Sequence, residues 1–186
     1  MPPVIYSMSV SLDGFVSAPG DDLGWSVPDA EKMDLHIEQT RDVAVHLCGR
    51  RLYETMLVWE TAEQTMTDPQ ELEFARIWCP IPKVVFSHTL DAVTGTARLA
   101  TADLATEIAR LRAQPGDGVI AIGGATLAAA AMAADLIDEY HQFVIPIILG
   151  DGAPYFPPLA ERLELSLIES RVLGSGAVYL RYRRDR

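Results

Sequence analysis

Two places in this chain join an apolar run to glycine and then to a helix-forming stretch: Leu47-Cys48-Gly49-Arg50-Arg51 and Ile122-Gly123-Gly124-Ala125-Thr126. The first amides of a helix have no partner inside it, and the helix dipole is positive at that end, so either junction could hold a phosphate. Glycine lets backbone approach the ligand closely, and the guanidiniums of Arg50 and Arg51 can grip phosphate oxygens in pairs. Ser87-His88-Thr89, closing a third apolar run, adds further donors. Each signal is weak alone, because a double glycine is more often a plain tight turn and an arginine pair often a solvated surface. Occurring together in one small chain, they favour a dinucleotide.

Other chemistries fail on spacing. No G-x-G-x-x-G opens a helix, and neither a Walker-type lysine loop nor a G-x-S-x-G elbow occurs. His46 and Cys48 alternate on one strand face but lack a third ligand at recognisable spacing, so they read as packing and no metal is expected. His36 and His141 read as structural or exposed, while His88 beside Ser87 is better placed for a ligand.

The elements that must position these residues follow from periodicity and punctuation. Strands are expected over Val4 to Val10, Val43 to Cys48, Lys83 to Ser87, Thr96 to Ala100 and Val119 to Ile122, with closing strands over Glu139 to Leu149, Leu163 to Leu173 and Ala177 to Arg183. Helices are expected from Pro28 to about Arg41, Arg50 to Leu57, Pro69 to Trp78, from a cap at Thr101 through Leu104, Ile108 and Leu111, and over Ala125 to Ala134. Strands alternating with helices imply a parallel sheet, and the last two strands, joined by Gly174-Ser175-Gly176, imply an antiparallel hairpin at one edge.

The 186 residues are expected to form a single domain, 1–186; they carry 15 Lys and Arg against 26 Asp and Glu, a net charge of -11, with 49% hydrophobic residues. That acidic balance disfavours nucleic acid, and Arg181, Arg183, Arg184 and Arg186 read as a solvated basic end. The apolar runs are too short to span a membrane, Cys48 and Cys79 form no disulfide framework, and no leader precedes Val4. A cytoplasmic protein is expected, and its high apolar share suggests a homodimer.

Across nearly the whole chain, the order of motifs resembles the dihydrofolate reductase-like superfamily, and within it the riboflavin-biosynthesis reductase (RibD C-terminal) domain. The resemblance rests on Ser11-Leu12-Asp13-Gly14-Phe15-Val16, Gly49-Arg50-Arg51-Leu52-Tyr53-Glu54, Val85-Phe86-Ser87, Ile122-Gly123-Gly124-Ala125-Thr126-Leu127, Pro146-Ile147-Ile148-Leu149-Gly150 and the segment from Gly152 to Pro157. It implies a three-layer α/β fold: a mixed, mostly parallel eight-stranded sheet, flanking helices, an antiparallel C-terminal hairpin, and NADPH across the strand ends. By position, Gly49, Arg50 and Arg51 would face the cofactor phosphates, Ser87 and His88 the adenosine phosphate, and Gly123, Gly124, Ala125, Thr126 and Leu127 the pyrophosphate. Val16 would lie by the nicotinamide, and the resemblance suggests a cis peptide between the paired glycines. Leu52 stands where threonine is common.

The implied activity is NADPH-dependent hydride transfer to a small heterocyclic or sugar-derived substrate, with no metal. The carboxylate of true dihydrofolate reductases falls on Ala30, so folate is in doubt, and Asp34, one turn on, is the catalytic candidate. Trp25, Tyr155 and Phe156 are candidate substrate walls. No H-x-E with P-C-x-x-C signature is present, so any deamination belongs elsewhere. The rival reading is a nucleotide sensor of the same fold without turnover. On charge, Arg51→Ala is expected to weaken NADPH and spare NADH.

Overall fold

The computed structural model describes residues 1–185; Arg186 lies outside the described residues. In chain order the elements are β1 (Val4–Ser11), β2 (Phe15–Ser17), α1 (Ala30–Arg41), β3 (Val43–Gly49), α2 (Arg50–Met56), α3 (Ala62–Thr65), α4 (Pro69–Trp78) and β4 (Lys83–Phe86). They continue as β5 (Ala97–Leu99), α5 (Leu104–Arg112), β6 (Val119–Gly123), α6 (Ala125–Ala133), β7 (Glu139–Ile145), β8 (Ala153–Pro154), β9 (Leu165–Val172) and β10 (Val178–Arg184). Eight strands form one sheet in the order β5-β4-β3-β6-β1-β7-β10-β9. All pairings from β5 to β7 are parallel, whereas β10 runs antiparallel to both β7 and β9. The expected architecture is therefore present, with the hairpin at one edge.

Side chains alternate across a strand, so the sheet has two distinct faces. One is a continuous apolar core: Val4, Tyr6 and Val10 of β1, Leu47 of β3 and Ile120 and Ile122 of β6 pack with Ile108 of α5 and Ala128, Ala131 and Met132 of α6. The other lies under α1 and α4, whose Met33, Ile37, Phe74 and Trp78 pack together, while Leu35 meets Phe143 and Tyr179. On this second face the same alternation brings up His46 from β3 and a buried charged group from β7. Glu139 accepts from Arg181 Nε at 2.7 Å and from Arg183 Nη2 at 3.1 Å, and its Oε2 lies 3.2 Å from His141 Nε2. The basic end is thus part of a strand, with Arg184 also paired to Asp135; the expectation of a solvated tail is corrected by this buried carboxylate.

Local chemistry explains where boundaries moved. Pro28 precedes α1, because Asp29 is its cap and accepts from Lys32 N at 2.8 Å. Asp103, not Thr101, caps α5, accepting from Thr106 N at 2.9 Å. Thr101 instead donates its amide to Glu107 at 3.0 Å. β7 stops at Ile145 because Pro146 has no amide for the ladder. A two-stranded ribbon of β2 and β8, outside the expected strands, pairs Ser17 with Ala153.

Glu107 is fully buried and accepts from both terminal nitrogens of Arg98, at 2.6 and 3.2 Å. Those hydrogen bonds, aided by the Thr101 amide against the cost of burial, hold its carboxyl down from 4.5 to about 2. A depressed folded pKa gives stability that is fully present above the ordinary value and is lost as pH falls toward the folded one. The thermal midpoint is therefore expected to fall between about pH 4.5 and about pH 2, and Glu107→Gln to flatten part of that fall; a variant with an unchanged acid profile would contradict it.

Candidate active site

The two glycine junctions meet at the C-terminal ends of neighbouring strands. Cys48 of β3 stands in register with Gly123 of β6 on one side and with Val85 of β4 on the other. A Cβ built on Gly124 would lie 4.0 Å from the Gly49 amide nitrogen and 3.8 Å from Leu52 Cβ, so the N-termini of α2 and α6 converge on one space. Gly124 itself takes φ +91°, left-handed backbone that glycine adopts without penalty. The unusual geometry expected at this pair lies in that angle, and the cis bond is corrected: no cis peptide occurs among the described residues.

The capping pattern separates these helices from the other helices longer than one turn. α1, α4 and α5 each begin under an aspartate, Asp29, Asp68 and Asp103, that satisfies their first amides. α2 and α6 begin at Gly49 and Gly124 with no side-chain cap. Their free amides and positive dipole ends face the same space, suited to an anion. Arg50 Nη1 donates to Thr89 Oγ1 at 3.2 Å, and Ser87 Oγ accepts from the amides of Thr89 and Leu90, at 3.1 and 3.0 Å. Arg50, Ser87 and exposed His88 thus share one edge of the site. Arg51 turns the other way, to Asp21 at 3.0 Å. Ala125 and Thr126 open α6, with Thr126 exposed, while Leu127 packs partly against the core.

Below this junction a cavity of about 440 Å³ opens between α1, α4 and the second sheet face. Its wall is mostly apolar, with Met33, Leu52, Met56, Trp59, Phe74 and Trp78, and carries the imidazoles of His36 and His46. Burial pushes His36 down to about 3 and His46 to about 4, so both rings are neutral at ordinary pH. His36 leans on Phe143 with ring centres 4.4 Å apart.

Several expected site residues lie elsewhere. Asp34 is exposed and accepts from Gln70 Nε2 at 2.5 Å, because α4 packs along that side of α1; the cavity receives Met33 and His36 from α1 instead. Tyr155 is fully buried, stacked on Tyr6 at 4.3 Å with its hydroxyl 2.9 Å from the Tyr6 carbonyl oxygen, so it is core and no ligand wall. Phe156, half exposed, meets Tyr140 and Tyr155 and lines none of the cavity. Trp25 is tied to the Asp22 carbonyl by its indole at 3.2 Å and is likewise outside the lining. Val16 is buried in the main core and is not among the residues lining the cavity.

Asp13, named in the sequence reading only as part of the Ser11 to Val16 motif, joins two loops at neighbouring strand ends. Asp13 accepts from Ser11 Oγ at 2.7 Å, from Gly150 N at 2.7 Å and from Leu149 N at 3.1 Å. The Ser11 hydroxyl and these two amides hold its carboxyl below the usual range. Two motifs far apart in sequence, Ser11 to Val16 and Pro146 to Gly150, are therefore halves of one clamp; no local signal pairs them.

A mostly parallel eight-stranded sheet with a terminal antiparallel hairpin, and helices whose uncapped starts converge at its strand ends, places the protein in the dihydrofolate reductase-like class of α/β folds. Within that class residues 2–179 match the RibD C-terminal domain, and the chain belongs to that family. It is similar to the uncharacterized protein YyaP of Bacillus subtilis, 26% identical over 180 residues that cover 96% of this chain and 93% of that one. A solved structure from Shewanella sp. PV-4, described as a candidate riboflavin biosynthesis protein, is 26% identical with a TM-score of 0.78 and full coverage of both chains. The dihydrofolate reductase of Enterococcus faecalis, solved with NADP(H), is 17% identical with a TM-score of 0.60 over 99% of this chain and 97% of that one, a likeness of fold.

Proposed function

We propose that this protein is an NADPH-dependent reductase that acts on a small heterocyclic or sugar-derived substrate. The observation that carries the reading is the pair of uncapped helix starts at Gly49 and Gly124, facing each other where the other helices of comparable length are closed by aspartate. A nucleotide pyrophosphate fits there: the amides donate, and the absent Cβ of Gly124 leaves the room. Bound in this way, the nicotinamide would supply hydride to an acceptor double bond. The chain's own work is to hold that ring above the cavity, to orient the acceptor against the second sheet face, and to keep water out with the apolar wall. Asp34 does not line the cavity, so it is no longer the residue proposed to supply the accompanying proton.

The test is twofold. NADPH should bind by calorimetry, and its reduced-nicotinamide absorbance should fall with some member of a panel of heterocycles and sugar-derived carbonyl compounds; binding without turnover across the panel would favour a nucleotide sensor instead. Arg50, next to Ser87 and His88, is the cation placed for the additional phosphate of NADPH, and it replaces Arg51 in that role. Arg50→Ala is expected to weaken NADPH by roughly tenfold or more and leave NADH nearly unchanged, since a charge-assisted contact is worth about 1.5 to 3 kcal/mol. Equal losses for both cofactors would count against it. We also infer a homodimer, supported by Leu167, Ile168 and Val172, which are 55%, 41% and 78% exposed on the edge strand β9. Light scattering that gives a monomer at micromolar concentration would contradict this.

A further inference from the structure

Trp78 Nε1 and Gln39 Nε2 in the cavity wall have no hydrogen-bond partner among the described residues, and neither has the His46 ring, which is the one beside the glycine junction. His46 projects from β3 into the wall shared with Leu52, Met56, Trp59 and Trp78, and its ring makes no hydrogen bond to any described residue. Its Nε2 lies 3.1 Å and its Cε1 3.8 Å from the point where a Cβ on Gly123 would stand. Leu52 Cδ2 lies 2.3 Å from the same point, so the imidazole tip and the Leu52 side chain together cover Gly123 where they line the cavity. Under the reductase reading, this is where cofactor and acceptor come together.

We propose that His46 selects the acceptor, by hydrogen-bonding the amide-like edge of an uncharged planar heterocycle that lies in the cavity beside Leu52. The proposal rests on the reductase reading for the position of that acceptor. A neutral imidazole offers one donor and one acceptor nitrogen, the complement of an adjacent N–H and carbonyl on a heterocycle. Burial, reinforced by the ammonium of Lys83, keeps the ring in that neutral form, down at about 4. The neighbouring cation is not available to a ligand: Lys83 Nζ donates to the carbonyls of Trp78 and Cys79 at 2.9 and 2.8 Å and lies 3.7 Å from the centre of the Trp78 ring. At the far end of the cavity, Arg181 and Arg171 are already matched by Glu139 and Glu169. Among the described residues that line the cavity no positive charge is uncommitted, and burying a ligand's carboxylate without a partner is far costlier than burying an amide. His46 meanwhile presents polar atoms whose burial without a partner is itself unfavourable.

The experiment uses matched probes: uracil against orotate, and pterin against its ring-carboxylated counterpart, each titrated by calorimetry into the NADPH-loaded protein, with nitrogen-15 histidine resonances as a second readout. At least one uncharged member should bind and move the His46 ring signals, with its carboxylated partner at least about tenfold weaker. His46→Phe should cost about tenfold or more for the uncharged probe while NADPH affinity stays within about twofold, and His46→Gln, which keeps a donor and an acceptor, should recover part of the loss. Equal binding of the carboxylated probes, wild-type affinity in His46→Phe, or no binding by either uncharged probe would overturn the proposal. If NADPH itself fails to bind, the reductase reading falls, and the same contrast measured on the protein alone still decides the role of His46.

Discussion

Gly124→Val is expected to abolish measurable NADPH binding while leaving a folded protein. The substituted side chain would grow into the space between two helix starts, with the Gly49 nitrogen 4.0 Å and Leu52 Cβ 3.8 Å from its Cβ. The Cβ itself meets those atoms at ordinary contact distance, so no backbone has to move to admit it. The cost to folding is conformational, since a β-branched residue must adopt φ near +91°, an expense of about 1 to 3 kcal/mol. The cost to binding is larger. A phosphate between these amides would lose both its room and its close contact to the backbone, and affinity should drop by more than about a hundredfold, or roughly 2.7 kcal/mol. Calorimetry and a melting curve on the same sample separate the two effects. If the variant binds NADPH as the parent does, the anion is held elsewhere and the reductase reading loses its main support.

The order of strands and helices could be read from the chain because each element carries its own local signal. Val119 to Ile122 is a short apolar run closed by glycines, and Ala125 to Ala133 is an alanine-rich helix. The glycine junctions were equally local: a strand, a glycine and a helix start are adjacent in sequence, so the junctions themselves could be named from the chain. What the sequence did not disclose depends on contacts between distant segments. Asp34 and Met33 are neighbours on α1, and only the seating of α4, through Gln70, decides which of them faces the cavity. Tyr155 looks like any aromatic near a loop until its ring is found stacked on Tyr6, 149 residues away in the chain. The clamp at Asp13 has the same character, as its amide partners at Leu149 and Gly150 follow β7, which neighbours β1 in the sheet but lies far from it in sequence. His46 was visible as a member of a strand face, but its lack of a partner is a property of the assembled cavity.

The same dependence on distant backbone makes Gly152 the position where one added carbon should do most damage to folding. Its φ is +146°, and a Cβ there would stand 1.9 Å from the carbonyl oxygen of Ser17 and 3.0 Å from its carbonyl carbon. Both atoms are backbone, so no rotamer change relieves the overlap. Either β8 swings away from β2, breaking the pairing of Ala153 with Ser17, or the strained segment shifts as a whole. β2 also carries Val16, which is buried in the main core, so its displacement opens apolar surface as well. Overpacking against fixed backbone, with the penalty of positive φ added, should make Gly152→Ala about 2 to 4 kcal/mol less stable. For a chain of this size that corresponds to a fall in the thermal midpoint of roughly 4 to 16 °C. Gly150→Ala is the control, since its φ is +79° but nothing lies within 4 Å of its Cβ; only the conformational cost, about 1 kcal/mol, should appear there. A Gly152→Ala protein that melts no lower than the Gly150→Ala protein would show that the ribbon does not close on Ser17 in solution.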